Sequence, residues 1–156
     1  MTKFHELIEF LEESKTKFIR DKQADEEKCW AAVRAIEADF CEYLDLPNFR
    51  FFRLEIPGDI DWSYKYKEMV LKDGAWHTMG MLTIPEKVDE RLIKLSLALK
   101  NHKDENTCRA FLVTNSPKPK GGLVRYRNKD SLRKFSKILY QEVKERLTEK
   151  WPSTLG

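Results

Sequence analysis

A chain of 156 residues, 41% hydrophobic and 35% charged, is long enough to bury a core and fits a single domain spanning 1–156. That composition excludes a disordered chain, and no apolar run nears the roughly 18 residues a membrane span needs. The formal net charge of +3 hides an uneven map: residues 115–137 hold eight Lys or Arg against Asp130 alone, a local +7, which leaves −4 for the rest.

Residues 1–46 contain neither Gly nor Pro, which favours helix. Phe4, Leu7, Ile8, Leu11, Phe18 and Ile19 share one side of a 3.6-residue wheel, with Glu6, Glu9, Glu13, Lys17 and Arg20 opposite. The acids scattered among these apolar residues do not read as a secretory signal. The polar run R-D-K-Q-A-D-E-E-K then interrupts the pattern. Asp25, followed by Glu26 and Glu27, has the chemistry of an N-cap and first turn. A second helix burying Cys29, Val33, Ile36, Phe40 and Leu44 then ends before Leu46-Pro47. The expectation is an αα-hairpin, with one long bent helix as the alternative. Ala31, Ala35 and Ala38 form a smooth stripe on the back of the second helix. It either admits a neighbouring helix or a second copy of the chain, or reflects helix propensity alone.

After Pro47 the hydrophobic period falls to two. F-R-F-F-R-L-E-I reads as a strand, and W-S-Y-K-Y-K-E-M-V-L-K, Asp73-Gly74 and A-W-H-T-M-G-M-L-T-I as a hairpin closed by a two-residue turn. Taken literally, that turn sets Leu71 opposite Trp76, Val70 opposite His77, Glu68 opposite Met79 and Tyr66 opposite Met81. One face then collects Trp62, Tyr64, Tyr66, Val70, Met79 and Met81 as core; the other, with Lys65, Lys67 and Thr78, tolerates water, but it also carries Trp76, which leaves two-sided burial or a self-associating surface open. Residues 86–100 alternate as a strand in I-K-L-S-L-A-L, although Val88, Leu92, Leu95 and Leu99 also keep helical spacing; strand is preferred because C-R-A-F-L-V-T then completes a meander. A last short strand, L-V-R-Y-R, precedes a helix capped by Asn128 or Asp130, with Leu132, Phe135, Leu139, Val143 and Leu147 inward. The sum is an α+β fold: an N-terminal helical hairpin, an antiparallel sheet of five or six strands and a C-terminal amphipathic helix.

The first candidate site is the basic segment: Lys118, Lys120, Arg125, Arg127, Lys129, Arg133 and Lys137, around P-K-P-K-G-G and the last strand. Arg125 and Arg127, two apart on a strand, point the same way, and Tyr126 stacks on a base only if it faces outward. The plainer reading is a solvated edge strand kept from unwanted pairing by its charges. Glu142, Glu145 and Glu149 on the helix behind it oppose a broad nucleic-acid surface. Trp62 and Trp76, near strand ends, are candidate aromatic anchors for a partner. Glu68 and His77 are the best acid–base pair, although such a pair is more often a satisfied contact at a core edge.

Glu55, Asp59 and Asp61 flank a Pro-Gly turn and have the chemistry to hold Mg²⁺, but Asp and Gly are ordinary turn residues. There is no zinc-ligand spacing, nucleophile elbow, P-loop or dinucleotide fingerprint, so no metal, cofactor or catalytic residue is assigned. Three cysteines, Cys29, Cys41 and Cys108, without a C-x-x-C pair read as reduced thiols of a cytoplasmic protein. The expected function is a non-enzymatic protein-binding module using the sheet surface and the 115–137 region, with no membrane contact and scope for homodimerisation. The alternatives are nucleic-acid binding through the same cations and, more weakly, a metal-dependent hydrolase built on Asp59 and Asp61.

Overall fold

The computed structural model of the chain describes residues 2–45, 51–53, 70–85, 90–114 and 117–149. Its first element, α1 (Lys3–Leu44), is one unbroken helix of 42 residues, about 63 Å long. The expected hairpin is therefore corrected. Thr2 caps the start, its Oγ1 accepting from the His5 N–H at 3.3 Å, and Asp45 ends the helix in the left-handed region at φ 56°. Nothing in R-D-K-Q-A-D-E-E-K breaks a helix. Asp25 is an interior residue, not a cap: its Oδ2 accepts the Trp76 Nε1–H at 2.8 Å, and its carbonyl accepts from Asn101 Nδ2 at 2.9 Å. The polar gap marks the place where the helix reaches the sheet. Beyond it Cys29, Ala32, Val33, Ile36 and Phe40 are fully buried, whereas every residue from Thr2 to Ala24 is exposed.

The other elements are β1 (Phe51–Arg53), β2 (Val70–Lys72), β3 (Ala75–Pro85), β4 (Glu90–Asn101), β5 (Thr107–Leu112), β6 (Lys120–Arg125) and α2 (Lys129–Glu149). They confirm the α+β class, with an antiparallel sheet between two terminal helices. The sheet runs β1-β3-β4-β5-β6. β2 pairs with residues 75–77 and β1 with residues 78–80 on the edge of β3 that β4 leaves free. Val70 opposite His77 and Leu71 opposite Trp76 are as the turn chemistry requires. The register does not continue as expected, because Phe52 of β1 stands opposite Met79. Glu68, Tyr66, Tyr64, Trp62, Lys65 and Lys67 lie outside the described residues.

Residues 90–101 are strand, and burial shows why the period of two prevails: Ile93, Leu95, Leu97 and Leu99 all point inward, while Leu92, which the helical spacing needed, is exposed. They meet Trp76 and Leu82 of β3, Cys108, Ala110 and Leu112 of β5, and Val124 of β6. The covering layer is the second half of α1 together with Phe135, Leu139 and Val143 of α2, with Leu132 and Leu147 packed alongside. Asn128 caps α2, its Oδ1 accepting from the Ser131 N–H at 2.9 Å.

The helices thus cover the face expected to meet water. Thr78 is fully buried and Trp76 only 3% exposed. Yet Met79, on the opposite face, is also 3% exposed, between the half-buried His77 and Met81. On β6 a Cβ at Gly121, where φ is +143°, would sit 2.1 Å from the Ala110 carbonyl oxygen, so only glycine allows this pairing with β5.

Candidate binding surface

The basic segment does not present its charge as one patch. Lys120 Nζ donates to Glu142 Oε2 at 2.6 Å and Glu145 Oε2 at 2.7 Å, tying β6 to α2. These bonds raise the Lys120 pKa and hold the Glu145 carboxyl below its ordinary range. Lys129 pairs with Glu42 at 3.0 Å. Arg133 forks onto Asp39 at 3.2 and 3.3 Å, lies 3.6 Å from Glu42 and sits over the Tyr43 ring. Lys120, Lys129 and Arg133 are therefore matched by acids of α1 or α2. Tyr126 packs half-buried against the core, which raises its pKa and removes it as a base-stacking platform.

Arg125, Arg127 and Lys137 are exposed, as is the Lys118 side chain. Arg127 lies in the turn after β6, not on the strand. Arg125, Arg127 and Asn128 line a shallow depression of about 340 Å³ that Asp104, Glu105, Asn106 and Thr107 complete. Two carboxylates in that lining offset the two guanidinium groups, so this is a poor cradle for a bare phosphate.

A more open array lies on the sheet face away from the helices. Directly opposite residues of an antiparallel pair present their side chains on the same face, with Cβ atoms about 5 Å apart. Lys100 stands opposite Arg109, and Arg109 opposite Leu123. Arg125, opposite Thr107, and Phe111, opposite Ala98, occupy the flanking rows of that face. Lys100, Arg109, Leu123 and Arg125 are all exposed, and Phe111 is half-buried. Three cations around an apolar centre thus lie in the open across β4–β6. Sequence reasoning missed Lys100 and Arg109. The signal was the strand register, which pairs two segments that look unremarkable apart.

Trp76 is not a surface anchor: its ring is buried and its N–H is spent on Asp25. His77 is half-buried; its Nε2–H donates to the Lys72 carbonyl at 3.3 Å, and its buried Nδ1 has no hydrogen-bond partner among the described residues. Glu68, Trp62, Glu55, Asp59 and Asp61 lie outside those residues.

Burial pushes the His77 imidazole below its ordinary 6.5, against the opposing pull of the Lys72 carbonyl. The folded state therefore takes up this proton less readily than the unfolded chain. Stability fully present well above 6.5 declines as pH falls through 6.5 toward the lowered folded value. His77→Gln should flatten the loss of stability between about pH 7 and pH 5. An unchanged slope in denaturation midpoints would place the acid sensitivity elsewhere.

Burial also raises the Cys29 and Cys108 thiols to about 12, so neither is a ready nucleophile. Among the described residues no group of three or more His, Cys, Asp or Glu is placed to hold a metal ion, and no helix is long and apolar enough to cross a membrane. Comparison with protein-family models, with curated proteins and with solved structures finds no match for the chain.

Proposed function

We propose that the protein is a non-enzymatic binding module that docks on an acidic protein surface through the uncovered face of β4–β6. The observation that carries this reading is Lys100 directly opposite Arg109. Like charges at facing positions disfavour the sheet, and an anionic partner relieves that repulsion. Leu123 and Phe111 supply the apolar contact, while Lys100, Arg109 and Arg125 steer the approach. None of the three cysteines forms a disulfide, which supports a reducing, cytoplasmic setting.

Nucleic-acid binding is disfavoured because Lys120, Lys129 and Arg133 are already occupied by carboxylates. The test is a titration of fluorescent peptides rich in Asp and Glu and carrying one Phe or Leu, run beside single- and double-stranded nucleic acid over a salt series. Peptide binding should weaken with salt and fall at least tenfold in Arg109→Glu/Arg125→Glu. Equal peptide binding by that variant would sink the reading. Tight, salt-steep binding of nucleic acid alone would replace it with the second reading.

A further inference from the structure

The first half of α1 is a bare arm. Residues 3–24 project about 33 Å as helix, and Phe4, Leu7, Ile8, Phe10, Leu11, Phe18 and Ile19 on it are 40–69% exposed. Six of them continue the stripe that the second half buries. Leu11 and Cys29, and likewise Phe18 and Ile36, are 18 residues apart, which is five full turns, and Phe4 to Phe40 is ten. The same side of one helix is thus covered by the sheet from Cys29 onward and uncovered before it. An apolar stripe of this length on a stretch of helix where every residue is exposed is the mark of an association surface, not of a solvated helix.

Charge along the arm says what covers it. Up to Glu13 the arm carries Glu6, Glu9, Glu12 and Glu13 against Lys3, a net −3; from Lys15 to Lys22 it carries Lys15, Lys17, Arg20 and Lys22 against Asp21, a net +3. Two such arms repel when parallel and complement each other when antiparallel. We propose that residues 3–24 pair antiparallel with the same segment of a second copy of this chain, forming a homodimer through a short two-stranded coiled coil.

A register centred between Glu12 and Glu13 suits the inner apolar positions and the charged ones, and sets Phe4 against Asp21 at each end. It sets Leu7 against Phe18 and Leu11 against Ser14 of the other copy, and brings Lys3 near Asp21 and Glu12 near Lys15 at the flanks of the seam. Glu6, Glu9, Lys17 and Arg20 lie on the back of the helix and add longer-range complementarity, which salt screens. The two bodies then stand at opposite ends of the paired arms, leaving the open face of β4–β6 unobstructed on each. This dimer is independent of what that face binds.

Sedimentation equilibrium over a concentration series should show a monomer–dimer equilibrium for the full chain. Leu7→Glu/Leu11→Glu should be monomeric at the same concentrations while its body unfolds at the wild-type denaturant midpoint, because both side chains are exposed on the arm. The reversal variants Glu9→Lys/Glu12→Lys/Glu13→Lys and Lys15→Glu/Lys17→Glu/Lys22→Glu should each self-associate at least tenfold more weakly in low salt. Mixed in equal amounts, they should recover dimer.

Direction is read from spin labels on His5→Cys in a Cys41→Ser background, where the raised pKa values of Cys29 and Cys108 keep those buried thiols unlabelled. Antiparallel arms hold the two labels about 23 Å apart, parallel arms about 10 Å. The proposal is overturned by a wild type monomeric throughout, by a trimer or larger species, by a parallel-range distance, by a Leu7→Glu/Leu11→Glu variant that still dimerises, or by reversal variants that fail to recover dimer on mixing.

Discussion

Trp76→Ala should lower the free energy of unfolding by about 4 kcal/mol, whereas Trp76→Phe should lower it by about 2 kcal/mol. The larger figure combines the lost transfer of a ring that is only 3% exposed with the cavity it leaves between β3 and α1. The smaller combines the lost Nε1–H bond to Asp25 at 2.8 Å with the smaller ring of phenylalanine. Because that bond joins a strand to the middle of α1, it also fixes the point where the arm leaves the body. A double-mutant cycle between Trp76→Phe and Asp25→Ala should return a coupling of about 1.5 kcal/mol in denaturant titrations with unchanged slope. A Trp76→Ala cost within about 0.5 kcal/mol of zero would mean that the indole stands at the surface, as the strand-end position alone implied.

How far the fold was legible depended on whether local pattern or tertiary choice decided the feature. The Asp73-Gly74 turn, the buried alternation of Ile93, Leu95, Leu97 and Leu99, and the inward stripe of α2 follow from local chemistry, and the structure has them as read. Alternation assigns residues to faces but does not say which face the helices choose. The helices cover the face of Trp76 and Thr78, while Met79, on the face where the aromatic pattern placed the core, is buried as well. Asp25 misled in a related way. Asp-Glu-Glu suits a helix start, but it equally suits a helix interior whose one turned-in carboxylate finds Trp76 and Asn101, residues far away in the chain. The 18-residue spacings of Leu11 to Cys29 and Phe18 to Ile36 were the available sign of continuity.

The binding surface was less legible still, because charge counted along a segment is not charge displayed on a surface. Residues 115–137 sum to +7, yet Asp39 and Glu42 of α1 and Glu142 and Glu145 of α2 take up Arg133, Lys129 and Lys120. Conversely, Lys100 and Arg109 are unremarkable within their own segments and become neighbours only through the β4–β5 register. Part of the exposed positive charge therefore lies on the open sheet, where Lys100 and Arg109 join Arg125 of the segment that first drew attention.

Asp39 is where that redistribution can be tested. It is 4% exposed on α1, accepts from the fully buried Ser136 Oγ at 2.6 Å and receives the Arg133 fork, so three groups of two helices meet on one carboxylate. Asp39→Ala should cost about 3 kcal/mol, since it strips Ser136 of its acceptor in a dry site as well as breaking the pair. Asp39→Asn, which can still accept from Ser136, should cost about half as much. The share of each loss that comes from the buried Ser136–Asp39 bond should persist in about 1 M salt, while the share from the part-exposed Arg133 fork should shrink. Replacing the whole cluster, as Asp39→Leu/Arg133→Met/Ser136→Ala, should recover most of the loss, since the penalty lies in orphaned polar groups and not in the absence of a charge pair. A cluster variant no more stable than Asp39→Ala would refute that account. Asp39→Asn carries a functional consequence too: it loosens Arg133 from α1 and returns a cation to the 115–137 surface, so weak salt-sensitive binding of nucleic acid should rise in this variant while binding of acidic peptides at Lys100, Arg109 and Arg125 stays unchanged. If nucleic-acid binding instead stays flat while Arg133 is demonstrably released, internal neutralisation is not what keeps that segment from acting as a phosphate grip.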